Sequence, residues 1–331
     1  MKTKVSCNNS NNNNNNTLFL VGGTGSLGLE IAQGLRTSEK NFDAYKALVR
    51  DDKNEQAKAL AQKGWKLVVV KDMLNDQQAL QDALKDAKVI VSTFGKGDIV
   101  KLEMAVIDAI VASKKNNKND ENYPLFVPSQ FGVDYRRWNL DETHPFLLGK
   151  RQVLDYAKQR NVPTLSVFTG YFSDFIFDFL ANPKDGKARM INDGTGKVSF
   201  TKRSDIGYVL AKAFDDNEEG IDNLKKVGSL SMHGTTLPYK DALELLGKAL
   251  GKPLKIETID SDVAKQAEKD ALEKGLTGDM GSFYESFALH LLGMPQRRGN
   301  NTGADTSNES KTYGYEMESL ETTLNKIYGT N

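Results

Sequence analysis

Leu18-Phe-Leu-Val21 runs without a polar break into Gly22-Gly-Thr-Gly-Ser-Leu-Gly28, and few folds can use such a junction. The apolar run has the residue types of a buried strand, the clustered glycines permit a turn that side chains would block, and helical spacing follows. A strand, a tight turn and a helix N-terminus in that order form a pyrophosphate cradle, because the helix presents free N–H groups and the positive end of its dipole. Gly22 or Gly23 is expected to make the turn, Gly25 to let a pyrophosphate approach the backbone, and Gly28 to bring the helix close to the sheet. Thr24, Ser26 and Leu27 complete the expected loop. No Lys-Ser/Thr follows the last glycine, which argues against a nucleoside-triphosphate loop. The stretch predicts a dinucleotide site.

The rest of the chain supports that reading by its rhythm. Strand-like segments at 17–21, 44–49, 67–70, 89–93, 125–128 and 164–169 alternate with helical patterns at 27–36, 54–63, 77–85, 99–113 and 145–160. Short, almost wholly apolar strands separated by amphipathic helices predict an α/β fold: a doubly wound parallel sheet of the Rossmann type, covered on both faces. Residues 17–170 are therefore read as the nucleotide-binding domain and 171–331 mainly as a smaller C-terminal substrate lobe, with segments near 196–230 returning to the first domain. Residues 1–16 form an Asn-rich tail read as disordered; 116–122 and 299–310 are polar stretches of similar character.

Charge excludes some partners. Lys plus Arg and Asp plus Glu each number 44, so the net charge is zero, and no general attraction to nucleic acid or an anionic membrane is expected. No apolar run reaches the length of a membrane span, and the N-terminus lacks a secretory apolar region. Cys7 is the single cysteine, so no disulfide can form within the chain. A cytoplasmic protein is expected, with its oligomeric state open. The three histidines show no metal-ligand spacing, and no metal site is predicted.

Several residues at the expected carboxyl ends of the strands carry candidate chemistry. The second strand ends at Arg50-Asp-Asp-Lys53, where an adenosine ribose lies in such folds. Arg50, with Lys53 near it, suits the 2′-phosphate of NADP; Asp51 or Asp52 turned inward would instead select NAD. Phe94-Gly95 follows the fourth strand, where Phe94 could cover ring surface and Gly95 allow close approach, unless the turn serves the fold alone. Ser129 and Phe131 follow the fifth strand; the Ser129 hydroxyl either meets a ribose or substrate or caps a turn. Gly170-Tyr171-Phe172 follows the sixth, and its aromatics suit either a planar, apolar substrate or the core. His144 is read as a solvent-exposed residue at a helix start.

Lys150 is the most informative ionisable group. It lies on the stripe Phe146, Lys150, Val153, Ala157, where the helix should face the protein. A buried ammonium needs partners, which cofactor hydroxyls or a substrate oxygen would supply; the alternative is a lysine whose stem runs along apolar surface to reach water.

Taken together, Val21-Gly-Gly-Thr-Gly-Ser-Leu-Gly28, Leu48-Val-Arg50, Phe94-Gly95, Val127-Pro-Ser-Gln-Phe-Gly-Val-Asp134, Lys150, Thr169-Gly-Tyr-Phe172, Gly194-Thr-Gly-Lys-Val-Ser-Phe200 and Asp205-Ile-Gly207 resemble the NmrA-like and isoflavone-reductase-like group of atypical short-chain dehydrogenases. The resemblance implies an NADP(H)-binding Rossmann domain, a small substrate lobe, and Lys150 as the family's active-site lysine. In the reductase branch it implies hydride transfer to a small, aromatic or apolar substrate; in the NmrA branch, an NADP(H)-sensing regulator that acts on a protein partner without turnover. Ordinary short-chain dehydrogenases use Tyr-x-x-x-Lys, whereas Phe146 stands four residues before Lys150. Gln130 stands where relatives usually carry Glu. That leaves the acidic role unassigned.

Overall fold

The computed structural model describes residues 16–38, 42–95, 98–115, 123–139, 143–215, 220–298 and 309–329. The tail before Asn16, residues 116–122, most of the polar loop 299–310, and Lys96-Gly97 lie outside the described residues.

The alternation produces a five-stranded sheet in which every neighbouring pair is parallel. Its strands are β1 (Thr17–Val21), β2 (Ala44–Val49), β3 (Lys66–Val69), β4 (Ala87–Ser92) and β5 (Leu125–Val127), in the order β3-β2-β1-β4-β5. Between and after them run α1 (Ser26–Leu35), α2 (Glu55–Gln62), α3 (Gln77–Leu84), α4 (Ile99–Lys115) and α5 (Pro145–Gln159). Every residue of β1 is buried, as a central strand covered on both faces requires. The order reverses between β1 and β4, so the crevice beyond their carboxyl ends is where such a sheet takes a ligand. A parallel bridge from Phe126 to Thr164 joins β5 to a further strand pair, β6 (Ser166–Phe168) with β11 (Ser229–Ser231).

Between β6 and β11 the chain leaves for a smaller lobe and comes back. It forms β7 (Tyr171–Phe172), α6 (Ile176–Leu180), β8 (Ala181–Asn182), β9 (Lys187–Ile191) and β10 (Lys197–Thr201), then returns through α7 (Arg203–Asp215) and α8 (Gly220–Val227). The lobe resumes with β12 (Thr235–Pro238), α9 (Tyr239–Ala249), β13 (Lys255–Ile259), α10 (Ser261–Leu276), α11 (Met280–Arg298), α12 (Glu309–Thr312) and α13 (Leu320–Tyr328). Its two sheets, β12-β10-β7 and β13-β9-β8, share a core built on Phe177, Phe200, Leu243, Leu246 and Leu292. Among the described residues no helix is long and apolar enough to cross a membrane.

Helix α7 packs on α1 through glycines. A Cβ on Gly34 would lie 2.4 Å from the Tyr208 nitrogen, and one on Gly207 would lie 2.2 Å from the Ile31 carbonyl oxygen. The two backbones therefore touch where side chains would hold them apart. Asp205, buried beside this contact, accepts from the Tyr315 hydroxyl at 3.1 Å and from the Glu318 amide at 2.7 Å. It clips the C-terminal segment onto the half built on the five-stranded sheet.

Candidate active site

The glycine loop adopts the expected turn, with one difference in what each glycine does. Gly22 has φ +76, and a Cβ there would sit 3.0 Å from the Phe94 nitrogen, so only glycine lets the loop lie against the strand-end segment after β4. Gly28 makes its tightest approach to the loop itself: a Cβ would fall 2.5 Å from the Gly23 Cα. Gly25 caps α1 in extended conformation and provides no side-chain acceptor, which leaves the first N–H groups of α1 open to an outside anion. Gly25 and Ser26 are exposed, Thr24 and Leu27 half-buried.

Arg50 is exposed immediately beyond β2, and Lys53 is exposed close by. The Asp51 carboxylate accepts from the Lys53 amide at 2.9 Å, and the Asn54 side chain caps α2 by accepting from the Ala57 amide at 2.8 Å. Asp51 is thus turned into its own loop.

The strand ends after β4 and β5 are laced together. Thr93 donates its amide to the Val21 carbonyl at 2.9 Å, and Ser129 donates its hydroxyl to the Phe94 carbonyl at 2.8 Å. Ser129 is only 5% exposed, so its hydroxyl braces two loops where a ligand contact was a candidate role. Phe94 is half-buried, while Gly95 is exposed with nothing within 4 Å of a Cβ.

The candidate substrate residues divide. Phe131 is packed in the core of the nucleotide-binding half, and it is its carbonyl that faces Lys150. Gly170 has φ +65 and would place a Cβ 2.3 Å from the Ser199 carbonyl oxygen, which fixes it as a backbone crossing. Tyr171 is buried against Phe200 and donates to the Leu291 carbonyl at 2.5 Å, an anchor of the lobe core. Phe172 alone of the four is half-buried. Aromatic density after β6 serves packing more than an open pocket, because the lobe must bury its own hydrophobic face.

Lys150 occupies the inward stripe: Val153 and Ala157 on the same face are fully buried, and Lys150 itself is half-buried. Its ammonium donates to the Phe131 carbonyl at 3.4 Å and lies 5.6 Å from the centre of the Phe146 ring. Burial lowers its pKa to about 8, against the opposing pull of Glu103. The neighbouring Gln130 side chain donates to the Lys150 carbonyl at 3.0 Å and accepts from the Tyr135 hydroxyl at 2.5 Å, so a neutral amide pins α5 at this residue.

Three groups at or near the site were not foreseen from sequence. Glu103, fully buried on α4, accepts from the Ser129 amide at 2.7 Å. Its position three and four residues before Val106 and Ile107 puts it on the apolar stripe of α4, the same signal that marks Lys150 on α5. Arg203 donates to the Ser26 hydroxyl and pairs with Asp174 at 3.0 Å, tying the segment after β7 to the glycine loop. His144 is 2% exposed, contrary to expectation. It caps α5 by accepting from the Phe146 amide at 3.2 Å, and its other ring nitrogen meets the Ser286 hydroxyl of α11 at 3.0 Å. Burial and the nearby His290 lower its pKa to about 4.

Comparisons with known proteins place this architecture. The chain is 29% identical to an isoflavone reductase homologue of Zea mays over 267 residues, 77% of this chain and 81% of that one. It is 28% identical to a phenylcoumaran benzylic ether reductase of Populus trichocarpa over 248 residues, 72% of this chain and 76% of the relative. The structure of a leucoanthocyanidin reductase–NADPH complex from Vitis vinifera superposes with a TM-score of 0.71 at 21% identity, covering 94% of this chain and 99% of that one. A triphenylmethane reductase of Citrobacter complexed with NADP(H) does so with a TM-score of 0.65 at 16% identity, covering 93% and 99%. At such identities the superpositions establish the fold. The NmrA-like family model matches residues 14–304, a span that takes in the glycine loop, Lys150 and most of the lobe. The chain belongs to the NmrA-like family.

Proposed function

We propose that the protein is an NADPH-dependent reductase of the isoflavone-reductase-like type, acting on a small aromatic or apolar substrate with Lys150 handling the proton. The observation that carries the reading is the Lys150 ammonium, half-buried at the strand ends with its pKa lowered to about 8. At neutral pH such a group is still protonated yet releases its proton more readily than an ordinary lysine, as a general acid should.

The residues present fit the dinucleotide. The uncapped first turn of α1 at Gly25 would hold a pyrophosphate, and exposed Arg50, with Asp51 engaged by its own loop, favours a 2′-phosphate over a 2′-hydroxyl. NADPH, when bound, supplies the hydride. Phe94 and Gly95 flank the strand end as candidate ring contacts, and Phe172 is the most open of the expected substrate residues. Phe146 in place of a tyrosine leaves Lys150 without a phenol four residues away, so the lysine itself passes the proton, directly or through water.

The test is NADPH oxidation across a panel of aromatic acceptors, run beside NADPH and NADH binding by fluorescence. Turnover that Lys150→Ala abolishes while NADPH affinity persists supports the reading. Tight NADPH binding without oxidation of any acceptor would point instead to a sensing protein that acts through a protein partner.

A further inference from the structure

We propose that Glu103 is the positioning residue that sets the charge on Lys150, through the peptide segment Ser129-Gln130-Phe131 that lies between them. The proposal rests on the reading of Lys150 as a proton donor. Glu103 is completely inaccessible to solvent, and a carboxylate in that situation is costly unless something compensates it. One oxygen accepts from the Ser129 amide at 2.7 Å, and the Ser92 hydroxyl at the end of β4 lies beside the carboxyl; burial raises the Glu103 pKa, and the Ser129 amide, the Ser92 hydroxyl and the charge of Lys150 oppose that rise. Two neutral donors do not supply the opposite charge that a fully buried carboxylate calls for. The charged group that acts on Glu103 is Lys150, and the charged group that acts on Lys150 is Glu103.

The intervening segment is built to couple them. Its N–H end, at Ser129, points to the carboxylate, and its carbonyl end, at Phe131, points to the ammonium at 3.4 Å. The peptide dipoles therefore lie between two opposite charges in the sense that both favour. Gln130, in the middle, contributes no charge: both ends of its amide are occupied, by the Lys150 carbonyl and the Tyr135 hydroxyl. The negative charge facing Lys150 thus comes from α4, while Gln130, the side chain after β5 that bonds the Lys150 carbonyl, is neutral. The two side chains form no contact ion pair, so Glu103 acts on Lys150 as a charge at a distance, and touches neither substrate nor cofactor.

Competitive acetylation of cofactor-free protein with acetic anhydride, with the Lys150 peptide read by mass spectrometry as a function of pH, measures the lysine's own titration without turnover. The midpoint near 8 in the wild type is expected to fall by about one pH unit in Glu103→Gln, because loss of a buried carboxylate's pull on an ammonium is of that order. Adding Gln130→Glu to Glu103→Gln is expected to bring the midpoint back up. A folded Glu103→Gln with an unshifted midpoint overturns the proposal. Should that variant fail to fold, Lys150→Met tests the reciprocal effect: loss of the ammonium raises the Glu103 pKa further, visible as growth of the protonated-carboxyl band in the infrared at a given pH, and an unchanged band overturns the proposal too. A shifted midpoint with no NADPH oxidation by any acceptor would leave the coupling standing and remove the reductase reading alone.

Discussion

Arg203 donates to the hydroxyl of Ser26, so the first residue of α7 is clasped to the first residue of α1. The same guanidinium pairs with Asp174 at 3.0 Å, with 14% and 11% of the two side chains exposed. Arg203→Ala leaves the Asp174 carboxylate with only the backbone amide of residue 203, at 3.3 Å, and should lower unfolding stability by about 2 kcal/mol, the scale of a buried charged group that loses its partner. Adding Asp174→Asn should recover part of the loss. Urea denaturation of the two single variants and the double one checks this, and additive losses would contradict it.

Gly207 has no room for a methyl group, since the Ile31 carbonyl oxygen would lie 2.2 Å from it. Gly207→Ala should force α7 away from α1 at a cost of about 3 kcal/mol. A drop of several degrees in melting temperature is the expected outcome; an unchanged melt would show that the helices separate freely.

Stability should fall in acid through His144. Its pKa is lowered to about 4 in the folded protein, below the ordinary histidine value of 6.5, so the unfolded chain binds the proton more readily. The stabilising contribution is complete above 6.5 and is lost as the pH falls toward 4, amounting to about 3 kcal/mol at most. His144→Asn keeps a residue able to cap α5 and should flatten the acid limb. Stability measured at close pH intervals over this window decides, with His290 and Glu268, which also act on His144, left intact.

Arg50→Ala should weaken NADPH binding by about tenfold, one charge-assisted phosphate contact, while leaving NADH binding nearly unchanged. Equal losses for the two dinucleotides, read by fluorescence titration, would place the 2′-phosphate elsewhere.

The reductase reading itself predicts a pH limb. If Lys150 gives up its proton in turnover, kcat/KM should decline as the pH rises through about 8, where the ammonium is lost. A rate that stays flat through that range would take the proton transfer away from Lys150.

The nucleotide-binding half was legible from sequence because its physics is local. A buried parallel strand is an apolar run, and β1 and β2 coincide with the segments read at 17–21 and 44–49. Lys150 could be found because a charged residue breaks an apolar stripe, and Glu103 obeys the same rule on α4. What stayed hidden depends on distant partners. His144 looks like an ordinary residue before Pro145 until Ser286, far along the chain, closes over it. Tyr171 reads equally as pocket or core until the Leu291 carbonyl takes its hydroxyl. The Gly34 and Gly207 contact joins two helices whose glycines are each unremarkable alone.

That contact also has a consequence for how the protein is made. The face of α1 carrying Ile31 and Leu35 is covered by α7, and β6 gains its outer neighbour only when Ser229–Ser231 has been added. On the ribosome, the glycine loop and Lys150 are synthesised long before the helix and strand that bury the far side of their domain. A fragment ending at Gly170 would hold every expected cofactor residue and still expose the α1 face to water, so it should aggregate or stay unfolded. The capacity to bind a dinucleotide is encoded early, and becomes available only once the chain has passed through the first half of its lobe and come back.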